Sequence, residues 1–347
     1  MANAKTLILR LVFAAVTAMA LFAIASRTAQ ERPFTISAAI LGGVESVDYQ
    51  ALEAFKRSVE SGSGGAIQVN IYPYGQFCGN EKECIDALKS GALDIFFTTA
   101  SAVGIIYDGG QVLDLPYAFG SEAIAQCVLA GPFQTRLRDA ILDDGQGLRL
   151  VAATGVGGWR HFATTRRAVR SPSDLKGLKI RTTPSAIQQE FVRALGATPT
   201  PVAWSELYTA FGAGVIDGAK NTINDVMISN NNEHIRFITL DGHVYMSGLW
   251  WYSERTWRRT PAAYVPVIEQ GIEALRQTTI DLPPKISQGY ADAFVADGGE
   301  LIALSETELA AFKAAARRVR AWYQERQGDR WLDALDEAVA DCERVAG

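Results

Sequence analysis

The sequence predicts an α/β fold built on mostly parallel sheet flanked by helices. Three observations carry this. Between residues 34 and 97, strand-like and helix-like segments follow one another as strand, helix, strand, helix, strand, the opening of a doubly wound sheet. A second unit of the same kind begins near Leu148. The chain has 347 residues, 48% hydrophobic and 20% charged, enough for two globular domains of ordinary size.

The elements follow in order. Residues 34–40 alternate and then turn into Gly42-Gly43, a strand ending in a loop. Residues 47–61 place Leu52, Phe55 and Val59 on one helical face, and the glycines at 62–65 stop it. Ile67, Val69 and Ile71 alternate with polar residues as a second strand. A short helix over 81–90 is closed by Gly91, and the apolar run 93–97 reads as a buried strand. Residues 148–154 and 178–181 read as strands, and Ile187, Phe191 and Leu195 mark a helix face between later turns. Ser205 is expected to cap the helix carrying Leu207, Tyr208 and Phe211. Residues 261–279 form a long helical pattern, and Ser305-Glu306-Thr307-Glu308 is a capping box opening a helix to about Gln327.

Residues 1–25 are a separate object. Lys5 and Arg10 form a basic start, 11–25 an uncharged apolar run, and Ala23-Ile24-Ala25 a small-x-small cleavage site. That is the length of a secretory signal, short of the ~20 residues of a membrane span. An uncleaved N-terminal anchor is the alternative reading. The product is expected to be an exported, soluble protein in the periplasm. Export permits disulfides among Cys78, Cys84, Cys127 and Cys342. Cys78 and Cys84 flank the start of one helix as a local staple, and at least one disulfide involving Cys84 is expected. Metal binding is the weaker rival, because there is no C-x-x-C and His161, His234 and His243 show no ligand spacing.

A net charge of −5, with no basic cluster interleaved with aromatics, argues against nucleic acid as a partner. The pair Arg166-Arg167 reads as solvated surface. Enzyme signatures are missing: no G-x-S-x-G elbow, no phosphate loop and no dinucleotide fingerprint. No cofactor motif is present.

Residues 171–221 carry the strongest functional signal. Arg181 ends an apolar strand that holds no acid to neutralise it. Arg160 lies in Gly157-Gly158-Trp159-Arg160-His161-Phe162, read as just past another strand end. Ligands of open α/β sheets bind beyond the carboxyl ends of strands. Two guanidinium groups there converge on one small anion, such as a carboxylate. The alternative for Arg181 is a solvated surface arginine. Asn221, after Asp217-Gly218, offers a neutral amide to the same oxygens, and Trp204 either walls the pocket or packs in the core.

Six fragments, in order, resemble the substrate-binding proteins of tripartite ATP-independent periplasmic (TRAP) transporters, the DctP-type family. They are YPYGQFCGNEKECIDALKSGALDI (72–95), VLDLPYAF (112–119), SPSDLKGLKIR (171–181), ALGATPTPVAWSELYTAF (194–211), GVIDGAKN (214–221) and GGELIALSETELAAF (298–312). The resemblance spans nearly the whole mature chain. It implies a two-domain periplasmic binding protein fold, each domain a mixed, mostly parallel sheet flanked by helices, joined by crossing strands and a long helix. Domain I would take residues 34–158 and 247–286, and domain II residues 159–246 and 287–340. The ligand would lie in the cleft, with Arg181 pairing its carboxylate, Arg160 as second donor, and Asn221 and Trp204 beside them. Glu45, Glu81, Thr98 and Thr99 would contribute from domain I. The implied protein is a monomeric receptor without catalysis or cofactor. It would pass a small organic acid to the membrane subunits of a TRAP transporter. A sugar acid such as a hexuronate, a C4-dicarboxylate and a 2-oxo acid all fit; an exported α/β enzyme is the alternative from another class. Three positions depart from the family pattern. Lys220 stands where a glutamate is common, which leaves the charge of the pocket there open; Gly212 stands where a glutamine is common. Pro283-Pro284 is expected to shorten or kink the long helix.

Overall fold

The computed structural model describes residues 33–346. The predicted leader over 1–25 lies outside the described residues. In the first half, β1 (Phe34–Ala39), α1 (Val47–Gly62), β2 (Ile67–Tyr72), α2 (Glu81–Ser90) and β3 (Ile95–Thr99) follow the predicted alternation. β1 pairs in parallel with both β2 and β3. Ser46 caps α1 by accepting from the Tyr49 amide, and Leu52, Phe55 and Val59 are buried on its inner face. Asn80 caps α2, and Gly91 closes it in the left-handed region at φ 76°.

Two helices, α3 (Glu122–Ala130) and α4 (Pro132–Asp143), lead into β4 (Leu148–Thr164). Then come β5 (Lys179–Thr182), α5 (Ala186–Ala194), β6 (Thr198–Pro201), α6 (Leu207–Gly212), β7 (Gly218–Asn221) and α7 (Ile223–Ile228). β8 (Phe237–Ser253), α8 (Glu254–Arg259), α9 (Val265–Ala296), β9 (Glu300–Ile302), α10 (Glu306–Gln327) and α11 (Arg330–Ala346) complete the chain. The strands run in the order β2-β1-β3-β8-β4-β7-β5-β6, with β9 beside β8. Neighbours are parallel within each half, and antiparallel where β8 meets β3, β8 meets β4 and β4 meets β7. The result is a mixed α/β fold of two halves.

β4 and β8, 17 residues each, belong to both halves and join them. Their register breaks between Gly155 and Trp159: residues up to Gly155 pair with 247–253, and those from Trp159 pair with 237–245. Three apolar clusters fill the structure. One lies under α1 and α9 around Phe55, Trp250 and Ile268. One lies under α6 and α7 around Phe211, Val226 and Ile238. The largest runs from Phe96 and Leu150 through Phe191 to Phe312 and Trp331.

Two sequence expectations are corrected here. Pro283 and Pro284 do not shorten the long helix, one of the two effects expected of them: α9 runs through them for 32 residues. The two missing amides leave the carbonyls of Thr279 and Ile280 without their helical donors. Packing holds the helix on both sides of the gap. Toward its start Gly271 lies so close to Val59 and Phe55 that a Cβ would approach within 2.5 Å of Val59. Beyond the prolines Asn224 donates to the Ser287 hydroxyl (3.1 Å). Ser205 does not cap α6. A 3-10 turn over Trp204–Glu206 precedes that helix, and Ser205 Oγ donates instead to the Gly79 carbonyl of the other half (3.4 Å).

The cysteines pair as Cys78–Cys84 and Cys127–Cys342. The first closes a short loop over the start of α2, as the local-staple reading expects. The second ties α11 to α3. No described helix is long and apolar enough to cross a membrane.

Candidate functional site: an arginine-bearing cleft

A cavity of about 370 Å³ lies between the halves, within the size range of small-molecule sites. All eight residues anticipated from the sequence line it: Glu45, Glu81, Thr98 and Thr99 from the first half, Arg160, Arg181, Trp204 and Asn221 from the second.

Arg181 is the penultimate residue of β5 and only 3% exposed. Its Nε donates to the Val202 carbonyl (2.9 Å), which fixes the plane of the guanidinium. Burial, and then the like charge of Arg160, lower its pKa to about 10, so it stays cationic at neutral pH. Arg160 is 4% exposed, and its Nη1 donates to the Lys220 carbonyl (3.1 Å). The sequence placed Arg160 just past a strand end; it lies instead inside β4, which continues to Thr164. The break after Gly155 shifts the pairing at this point, and the arginine reaches the cleft from mid-strand. Among the described residues neither guanidinium has a carboxylate within 4.0 Å. Two buried, anchored cations without a close counter-ion leave guanidinium donors unused beside the cavity.

Asn221 ends β7 and pairs in register with His161 of β4, next to Arg160. Its side-chain oxygen accepts from the Thr222 amide (3.1 Å), so the Nδ2 amide is what it offers to the cavity. Trp204 is half-buried; one part walls the cavity and another packs against the cluster under α6, so both of its sequence readings hold. Lys220 lies outside the cavity lining, and its charge acts on Arg160 and Arg181. Strand alternation turns it away from the cavity that Asn221 faces, and its Nζ lies 6.0 Å from the Phe191 ring centroid. Burial lowers its pKa to about 7, an effect partly offset by Asp114. Behind this layer Asp114 accepts from Ser185 Oγ (3.1 Å) and Gln188 Nε2 (3.4 Å). Gly212 lies against His234, where an added Cβ would sit 3.6 Å from the ring, and is absent from the cavity lining.

On the opposite wall Glu81 is the first residue of α2, half-buried, and acts on the charge of Arg181 across the cleft. Glu45 is exposed at the rim, and its carboxylate accepts from the Tyr74 hydroxyl (3.0 Å). Gly43 makes this possible: a Cβ there would come within 2.4 Å of the Tyr74 ring. Thr98 is buried, and its hydroxyl accepts from Trp251 Nε1 (2.8 Å), so it serves the core as well as the cavity. Thr99 shares a hydrogen bond with Ser101 (2.5 Å).

The profile of the bacterial extracellular solute-binding proteins, family 7, matches residues 39–327. The chain belongs to that family. A solute-binding protein of Verminephrobacter eiseniae is 29% identical over 292 residues, covering 83% of this chain and 84% of the relative. A TRAP periplasmic solute-binding protein from Bordetella bronchispeptica, with density assigned to pantoate, superposes with a TM-score of 0.81 at 26% identity, covering 87% of this chain and 98% of that one. The sugar-acid-binding protein of Advenella mimigardefordensis, in complex with galactonate, superposes with a TM-score of 0.85 at 21% identity. It covers 90% of this chain and 99% of its own and shares the fold.

Two acidic lining residues of this family-7 cleft escaped the sequence reading. Asp48 is the second residue of α1, and Asp225 the third of α7 after its cap Thr222. Both are half-buried, and withdrawal from water raises each pKa to about 6. The charge of Asp225 pushes further on Asp48, while Arg160 pulls Asp225 back. Ser-x-Asp at 46–48 and Thr-x-x-Asp at 222–225 are helix-start signatures, and that is the signal that would have found them.

Proposed function

We propose that this chain is a periplasmic receptor for a small organic acid, which it delivers to the membrane subunits of a TRAP transporter. One observation carries the reading: Arg160 and Arg181 are buried, anchored by backbone carbonyls, and face one cavity with Asn221 beside them. A guanidinium held in plane meets a carboxylate through two parallel hydrogen bonds, and closure strengthens the pair by removing water. The family match supports the receptor role, and the solved relative at 26% identity has density assigned to pantoate, a hydroxylated monocarboxylate. The polar groups of Thr98, Thr99, Glu45 and Glu81 favour a hydroxylated acid, such as a sugar acid. In this reading the halves are hinged domains, residues 34–158 with 247–286 and residues 159–246 with 287–340. The register break at Gly155/Trp159 and the prolines at 283 and 284 supply points of bending.

A thermal-shift screen over organic acids tests the function. A ligand at a hundred times its dissociation constant adds about 2.7 kcal/mol, which raises the melting temperature by several degrees. A hydroxylated monocarboxylate is expected to produce that shift and to be recovered unchanged from the denatured complex. No shift with any organic acid, or recovery of a converted product, would contradict the reading.

A further inference from the structure

The charged residues that line the cavity are mostly acids. Two cations, Arg160 and Arg181, share it with Glu45, Asp48, Glu81 and Asp225. A site for a doubly charged acid would place cations at both ends; here both lie on one wall, on β4 and β5. The wall opposite carries carboxylates from the start of α1 and α2. Asp225 acts on both arginines from their own half, and Glu81 acts on Arg181 from across the cleft.

We infer that the cleft is a single-charge filter, in which Asp225 and Glu81 leave the arginine pair enough charge for one ligand carboxylate and repel a second. This rests on the carboxylate-receptor reading above. Asp225 and Glu81 are half-buried and share one cavity with the buried arginines, and salt screens such groups much less than exposed ones. A doubly charged acid held through one carboxylate at Arg181 turns its second toward the wall that carries Glu81, Asp48 and Glu45. At about 6 Å and an effective permittivity near 20, one such like-charge contact corresponds to roughly a hundredfold in affinity. A hydroxyl in the same place donates to those carboxylates instead. The ligand class that results is a monocarboxylate whose remainder offers hydrogen-bond donors.

Calorimetric titration with matched pairs of acids isolates the charge: threonate with tartrate, gluconate with glucarate, succinamate with succinate. Wild-type protein is expected to bind the singly charged member of a pair about a hundredfold more tightly. Asp225→Asn and Glu81→Gln are each expected to shrink that ratio by about tenfold or more. Glu81 lies half-buried at a helix start, so its variant covers the case in which Asp225→Asn fails to fold. A doubly charged acid that binds as tightly as its partner, and loses binding in Arg181→Ala, overturns the filter while leaving the receptor reading intact. Single-charge selectivity that neither variant changes overturns the assignment to Asp225 and Glu81. Absence of binding by every pair, or binding that Arg181→Ala leaves unchanged, removes the receptor reading and the filter with it.

Discussion

Asp48 and Asp225 hold carboxyls raised from 3.8 to about 6, and an anion entering the cleft pushes them higher still. Their folded values lie above the unfolded ones. In the free protein their stabilising share is therefore full below about 3.8 and is lost as pH rises through about 6. Binding adds to this linkage, so it takes up protons, and affinity rises as pH falls from about 7.5 to about 5.5. Lys220, at about 7, gains charge over the same range and acts with the same sign, while His161, lowered to about 4, stays neutral. Titration in two buffers of different ionisation enthalpy reads the uptake directly. Affinity that falls with pH, or binding without proton uptake in Asp225-containing protein, would contradict this. Arg181 was legible in the sequence because a lone cation on an apolar strand is conspicuous, and Arg160 because it follows the glycines read as a strand end. The two aspartates were not, because an acid in the first turn of a helix is ordinary capping chemistry until the fold aims it at a cleft. The charge of Lys220 was visible, but only the strand alternation in the fold shows that its side chain leaves the cavity lining.

Among the elements, the staple at the start of α2 has a place in the site. Cys78–Cys84 encloses Glu81, and Gly79 within the same loop receives Ser205 from the other half. Cys127–Cys342 joins residues 215 apart and lies outside the cleft lining. By chain entropy the long loop contributes about 5 kcal/mol and the short one about 2. Serine replacement of Cys127 and Cys342 should therefore lower the urea midpoint more than replacement of Cys78 and Cys84. The short-loop variant should be the one that weakens ligand binding, by several-fold, because Glu81 and Gly79 lose their anchor. The reverse order in either measurement would show that the staple does not position the site. Gly43 gives a second test: Gly43→Ala should displace Tyr74 and weaken binding, and an unchanged affinity would show that the Tyr74–Glu45 contact is dispensable. Most elements were legible from periodicity and caps, as at Ser305, whose capping box with Glu308 opens α10 as expected. The long helix was not. Pro283-Pro284 argues locally for a break, and contacts to α1 before it and to α7 after it override that argument.

For the whole molecule, the length and the alternation of elements announced an α/β protein of two halves, but not how they join. Strand β4 was legible only as its first residues, since Gly155, Gly157 and Gly158 look like a loop. In the fold those glycines mark the register break where two halves share one pair of strands. If the break is a hinge, solution scattering should show a smaller radius of gyration with ligand than without, and an unchanged radius at saturation would mean a rigid pocket. The central claim is that the halves close over a carboxylate held by Arg181. Removing one partner of such a buried pair costs roughly 3–5 kcal/mol. That is about two to nearly four decades in affinity. The deciding measurement is a calorimetric titration of wild type and Arg181→Ala with the acid found by the thermal screen. The account predicts that loss with the fold intact by circular dichroism; binding within about threefold of wild type would contradict it.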